Sequence, residues 1–206
     1  MRSTWDGFLI AVAVVAVGWA ALDLKTGPAT APPEVIQWLE ELRAQCDPDQ
    51  PGNDYLWSTN TQPTERRRMD LLARLTASPR DTAHAIRQLE AEGVPDEEFR
   101  QMLVLASLSA KNEASVQSAC RLMAWSGYPA VRICAARMLR TLKKPSCAEW
   151  FALALDDDRV VLNNGCGMDG DGRLYPVRLI ASLALQDLGM TDAQISELQR
   201  GGEPPG

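Results

Sequence analysis

The chain has 206 residues, of which 46% are hydrophobic and 23% are charged, and its formal net charge is −6. This length suits one domain with a proper core, and the composition excludes an intrinsically disordered chain. The acidic balance argues against a nucleic-acid partner, because phosphate binding needs a concentrated basic face. The basic run Arg66-Arg67-Arg68 is interpreted as the solvated start of a helix, since consecutive residues cannot share one helical face.

The N-terminal segment, residues 1–25, contains an apolar stretch at residues 8–22 without a charged or strongly polar residue. The stretch is short for a membrane span but fits the apolar core of a signal peptide. We predict a signal anchor, and the alternative is a signal peptide cleaved before Ala21. Residues 26–33 form a Pro/Ala/Thr linker. The protein is then either membrane-anchored with an exported C-terminal domain, or secreted/periplasmic.

A helical domain is predicted over residues 34–200, because apolar residues recur there at helical spacing from Pro33 onward. No run alternates convincingly with period two, and the strand-like fragment 160–162 is too short to found a sheet. The fold class is therefore all-α, and residues 201–206 are a disordered tail. The predicted helices cover about 33–46, 64–77, 79–93, 94–110, 113–126, 128–142, 146–155, 177–189 and a short segment after Thr191, where Gln194 completes a capping box.

One helical motif appears twice in the chain. Residues 131–142 read VRICAARMLRTL, and residues 177–188 read VRLIASLALQDL. In both copies the apolar residues form one stripe of a helix. The first copy follows a helix that ends at Gly127, so residues 113–142 are predicted to form an antiparallel helical hairpin. A motif that returns in this way indicates stacked helix pairs.

The repeated helix resembles the second helix of a HEAT-like repeat. The matching residues are Val131, Arg132, Ala135, Leu139, Val177, Arg178, Ala181 and Leu185. The best-supported repeats are 113–142 and 146–189, and the second carries a loop insertion at 156–174. The resemblance implies a short α-solenoid of antiparallel helix pairs, here preceded by an N-terminal hydrophobic helix. It also implies a non-catalytic interaction or scaffolding module, because such repeats usually present an extended surface. We expect the partner to be another protein of the cell envelope, with membrane contact through residues 8–22.

The sequence contains no motif of nucleophilic, metal-dependent or dinucleotide-dependent catalysis. We therefore predict that the protein is not an enzyme and uses no cofactor. The single histidine, His84, is interpreted as a surface or packing residue. The tryptophans Trp38, Trp57, Trp125 and Trp150 are predicted to pack in the core and at interfaces. Some HEAT-like proteins act on bilin chromophores, so the resemblance also implies an alternative, a HEAT-like lyase or accessory enzyme.

The insertion supplies a second alternative, a cation-binding module over residues 156–171. Its candidate metal ligands are Asp156, Asp158, Asp169 and Asp171, because calcium prefers carboxylate and carbonyl oxygens from a flexible loop. Asp, Asn and Gly are also the ordinary residues of turns, since they tolerate left-handed backbone. We favour the interpretation of the loop as ordinary turns over that of a cation site.

The chain has 5 cysteines, an odd number that leaves at least one thiol outside any internal disulfide. Cys120 and Cys134 lie at equal separations from Gly127, so the hairpin places them at similar heights. They are candidates for a disulfide, although burial as small apolar residues is the favoured interpretation. Cys147 and Cys166 flank the acidic half of the insertion and are the other candidate pair.

Overall fold

The computed structural model describes residues 31–46, 62–94, 96–158, 162–163 and 173–201. Their regular structure is almost entirely helical, which confirms the predicted all-α class. The helices are α1 (Pro33–Ala44), α2 (Gln62–Ala77), α3 (Pro79–Glu92), α4 (Glu97–Ala106), α5 (Glu113–Trp125), α6 (Pro129–Leu142), α7 (Ala148–Ala154), α8 (Pro176–Asp187) and α9 (Asp192–Gly201). A 3-10 turn, Pro145–Cys147, leads directly into α7.

The helix starts follow from local side-chain chemistry. Proline occupies the first turn of α1, α3, α6 and α8, where its missing N–H costs no helical hydrogen bond. The side chain of Asp96 accepts the N–H of Phe99 at 3.2 Å, so α4 begins at Glu97 rather than at the predicted residue 94. The predicted capping box is confirmed, since Thr191 and Gln194 exchange hydrogen bonds of 2.9 and 3.4 Å.

The insertion contains two short strands that the sequence did not predict. Strands β1 (Leu162–Asn163) and β2 (Arg173–Leu174) pair antiparallel there, with Leu162 opposite Leu174. The sequence indicated a loop throughout, because a ladder of this length leaves no readable alternation. The two strands bring residues 162–163, in the middle of the insertion, beside residues 173–174 at its C-terminal end, immediately before α8.

The helices contact one another in a regular order. Within the C-terminal half, α5 packs on α6 and α7 packs on α8. We call α5 and α6 the first hairpin, and α7 and α8 the second. The two hairpins also contact each other, through α5 with α7 and through α6 with α8. On the N-terminal side, α4 packs against α5 and α6, and α2 packs against α6. One hydrophobic core runs through all these contacts, from Val35 in α1 to Leu185 in α8.

A buried ion pair joins the two hairpins. The guanidinium of Arg132, on α6, pairs with the carboxylate of Asp157, just after α7, and both side chains are 2% exposed. Arg132 also donates to the backbone carbonyl of Ala124, in α5, at 3.2 Å. The arginine of the first repeat motif therefore connects α5, α6 and the end of α7 inside the protein.

The basic run in α2 is only partly solvated, which corrects its interpretation. Arg66 is exposed and Arg67 forms an ion pair with Glu41 of α1. Arg68 is buried, pairs with Glu98 of α4 at 3.7 Å and donates to the backbone carbonyl of Gln45. The interpretation of the run as a solvated helix start is therefore wrong for Arg68, whose charge faces the junction of three helices.

Within the described ranges, no helix combines the length and the apolar character needed to cross a membrane. The predicted anchor at residues 8–22, residues 26–30 of the linker and the C-terminal tail beyond residue 201 lie outside those ranges. Their predictions therefore stay predictions. The end of the predicted linker belongs to the folded part, since Ala31 is buried and Pro33 begins α1.

The first testable prediction concerns the Arg132–Asp157 ion pair. We expect Asp157→Ala to lower the free energy of unfolding by about 3–5 kcal/mol, because Arg132 keeps its charge after losing a buried partner. Urea unfolding followed by circular dichroism measures the change. The adjacent, exposed Asp158 offers a matched control, and Asp158→Ala should stay within about 0.5 kcal/mol of the wild type. Equal effects of the two substitutions would contradict a structural role for the ion pair.

Candidate interaction surface

Most of the repeat residues are buried in the core. The side chains of the apolar and small motif positions are all buried: Val131, Ala135, Leu139, Val177, Ala181 and Leu185. Arg132 is buried in its ion pair, and the guanidinium carbon of Arg178 lies 4.4 Å from the centroid of the Tyr175 ring. A binding site must therefore be sought on residues outside the motif.

Two large hydrophobic side chains are exposed in the described part of the chain. Trp125, the last residue of α5, is 48% exposed, and Leu153 of α7 is 40% exposed. Trp150 lies one helical turn before Leu153 and is only 1% exposed. We call Trp125, Leu153 and the supporting Trp150 the Trp125 surface. Because α5 and α7 belong to different hairpins, this surface straddles their junction.

Trp125 rests on Trp150 in a specific geometry. The two ring centroids are 5.2 Å apart and the ring planes are inclined at 77°, an edge-to-face arrangement. Such aromatic pairs contribute about 0.5–1.5 kcal/mol beyond their buried area. Because Trp150 is itself embedded in the core, it gives the exposed indole of Trp125 a rigid support.

The backbone on both sides of Trp125 is also held. The carbonyl of Ala124 accepts the hydrogen bond from Arg132, and the hydroxyl of Ser126 donates to Gln101 of α4 at 2.6 Å. The hydroxyl of Ser126 in turn accepts the N–H of Tyr128 at 3.1 Å. These contacts fix the turn between α5 and α6, so the backbone that carries Trp125 has little freedom to move.

The candidate metal ligands are not brought together in the described residues. Asp156 and Asp158 are exposed on either side of the buried Asp157, whereas Asp169 and Asp171 lie outside the described ranges. Within those ranges, no group of three or more His, Cys, Asp or Glu residues is placed to hold a metal ion. The sequence-based prediction nominated Asp156 and Asp158 as ligands and gave no role to Asp157, the aspartate that pairs with Arg132.

The structure describes four of the cysteines, and all four are buried. Cys46, Cys120, Cys134 and Cys147 carry free thiols, and the pairing of Cys120 with Cys134 stays a prediction. The sulfur of Cys120 instead lies 3.9 Å from the sulfur of Cys147. Burial raises the pKa of Cys134 to about 12, which keeps that thiol protonated. Cys166 lies outside the described ranges.

Comparison with known proteins adds no relative. No protein-family model, no curated protein and no solved structure matches this chain. The HEAT-like resemblance therefore depends on the repeated residues themselves and on the way that the helices carrying them pack.

Proposed function

We propose that this protein is a non-catalytic interaction module of the cell envelope, built as a short HEAT-like α-solenoid and binding another protein through the Trp125 surface. The observation that carries the proposal is a half-exposed tryptophan on a fixed backbone, packed edge-to-face on a buried one. The repeat motif supplies the scaffold for this surface and takes no direct part in binding.

The solenoid part of the proposal is supported by the helix contacts. Stacked repeats bring the first helices of neighbouring pairs together, and likewise the second helices. The contacts of α5 with α7 and of α6 with α8 have this form. Helices α2 and α4, which pack on the outer side of α5 and α6, would then cap the array on one side. Helix α9, packed on α7, would cap the other.

The binding role is supported by the chemistry of Trp125. Tryptophan is among the residues that contribute most at protein interfaces, where a few aromatic side chains carry most of the binding free energy. An exposed indole also leaves apolar area in water, and removing that area from water favours association. Leu153, one turn from Trp150, extends this apolar area along α7.

The location in the envelope is supported by the sequence alone. The apolar stretch at residues 8–22 and the linker at 26–33 precede the helical domain. An uncleaved stretch would hold the domain at the membrane through a flexible tether, on the exported side. The expected partner is then a protein of the same compartment.

The anchor is tested by the intact mass of the protein recovered from its native membranes. We expect the full-length mass of 22.6 kDa, because an anchor keeps its N-terminal segment. A mass that corresponds to a chain beginning at Ala21 would show that the segment is a cleaved signal peptide and not an anchor. Full-length protein found only in the soluble cytosolic fraction would contradict export altogether.

The interaction is tested by photo-crosslinking in the native compartment. The full chain would carry p-benzoylphenylalanine in place of Trp125, and a control chain would carry it in place of the exposed Gln88 of α3. We expect one discrete light-dependent adduct from position 125 and none from position 88. An adduct of twice the chain mass would identify a second copy as the partner. Equal labelling from both positions would contradict a specific surface at Trp125.

Once the partner is identified, substitution measures the contribution of the indole. We expect Trp125→Ala to weaken binding about 30-fold or more, which is the effect of a central aromatic residue at an interface. Fluorescence anisotropy with the purified partner gives the dissociation constants. Gln88→Ala, on α3, should leave them unchanged.

Stability measurements separate lost binding from lost folding. Trp125→Ala should lower the free energy of unfolding by clearly less than Trp150→Ala does, because about half of the Trp125 side chain is already exposed. Trp150→Ala should lower it by about 3–5 kcal/mol, because it empties a large buried volume. If Trp125→Ala unfolds the protein as readily as Trp150→Ala does, Trp125 is a core residue and the proposed surface fails.

A further inference from the structure

Two buried cysteines meet at the junction of the hairpins. Cys120 lies in the middle of α5, and Cys147 ends the 3-10 turn that leads into α7. Their sulfur atoms are 3.9 Å apart, and the S–H of Cys120 donates to the sulfur of Cys147. Both side chains are fully buried. This contact between hairpins is independent of the Trp125 surface.

We propose that Cys120 and Cys147 are the site of a disulfide that fastens the first hairpin to the second. A disulfide requires an S–S separation of about 2.05 Å, so the two sulfurs must approach by about 2 Å. A short 3-10 turn supplies one of the cysteines, so the backbone that has to adjust is not part of a long helix.

The turn that carries Cys147 is already tied to α5 by polar contacts. Lys144 forms an ion pair with Glu113, the first residue of α5, at 2.8 Å. The hydroxyl of Ser146 donates to the same carboxylate at 3.0 Å. These contacts hold the turn beside α5 in the reduced protein, and they keep the two sulfurs close while the bond forms.

The two thiols are unequal, which assigns their roles in the reaction. The hydrogen bond from Cys120 lowers the pKa of Cys147, because it stabilises the Cys147 thiolate, while burial opposes this effect. The same hydrogen bond and burial raise the pKa of Cys120. Cys147 also ends a short turn whose other residues, Pro145 and Ser146, are exposed. Local opening therefore uncovers Cys147 before Cys120 in the middle of α5, and Cys147 is the attacking sulfur.

The oxidant is a small organic disulfide such as oxidised glutathione. The Cys147 thiolate attacks one of its sulfurs, forms a mixed disulfide and releases one glutathione, which takes up a proton. Cys120 then gives up its proton and attacks the Cys147 sulfur, which releases the second glutathione. Two protein thiols are oxidised and one glutathione disulfide is reduced. Because both cysteines are buried, the exchange takes place during folding or local opening.

The other described cysteines have environments that keep them as thiols. Cys46 donates its S–H to the backbone carbonyl of Leu42 at 3.3 Å, and burial raises its pKa. Cys134 is likewise buried with a raised pKa. The competing partner for Cys147 is Cys166, which the sequence nominated because the two flank the acidic half of the insertion.

Peptide mapping tests the pairing. The full chain is refolded in a glutathione redox buffer, its remaining thiols are alkylated, and it is digested with trypsin without reduction. Cys120, Cys134, Cys147 and Cys166 fall in four separate tryptic peptides, residues 112–121, 133–137, 144–159 and 160–173. We expect peptide 112–121 linked to peptide 144–159. The same link should persist in Cys166→Ser and in Cys134→Ala.

A link between peptides 144–159 and 160–173 would overturn the proposal, and so would full alkylation of both Cys120 and Cys147. Thermal unfolding supplies a second measurement. Oxidation should raise the melting temperature of the wild type by about 10 °C relative to the reduced protein, and should leave that of Cys120→Ala unchanged. If Cys120→Ala does not fold, the mapping of the wild type and of Cys166→Ser still decides the pairing. An oxidised product that melts lower than the reduced protein would overturn the fastening role.

Discussion

The pairing of Arg132 with Asp157 is the constraint on which the C-terminal half of the structure depends. An arginine keeps its charge at any accessible pH, so burying it is costly unless an anion and hydrogen-bond acceptors lie around it. Asp157 supplies the anion and Ala124 supplies an acceptor. Helix α7 must therefore end where its following residues reach α6, and this requirement sets the position of the second hairpin against the first.

The helices could be predicted from the sequence because their signals are local. Apolar spacing, prolines in first turns and the capping box act within a few residues of one another, and the structure has the predicted helices in the predicted order. The ion pair could not be predicted in the same way. Asp156, Asp157 and Asp158 have the same side chain, and only the course of the chain after α7 decides which one turns inward.

The cysteines and tryptophans show the same limit. The equal spacing of Cys120 and Cys134 from Gly127 suggested that the two cysteines lie opposite each other. That argument considers one hairpin alone. The contact that the structure contains is with Cys147 of the next hairpin. Trp150 is buried as predicted, whereas Trp125 ends α5 and is only half-covered. In each case the outcome depends on how two hairpins stack, and sequence spacing within one hairpin carries no information about that.

Three contacts of different chemistry converge on the same junction. The ion pair, the edge-to-face tryptophans and the adjacent cysteines each join a residue of the first hairpin to one in or next to α7. In stacked helical pairs, stability is the sum of the pairs themselves and of the interfaces between neighbours. The contacts of α5 with α7 and of α6 with α8 form one interface between the two hairpins, and the three contacts act together across it. They also limit the motion of Trp125, the exposed tryptophan at the edge of this interface.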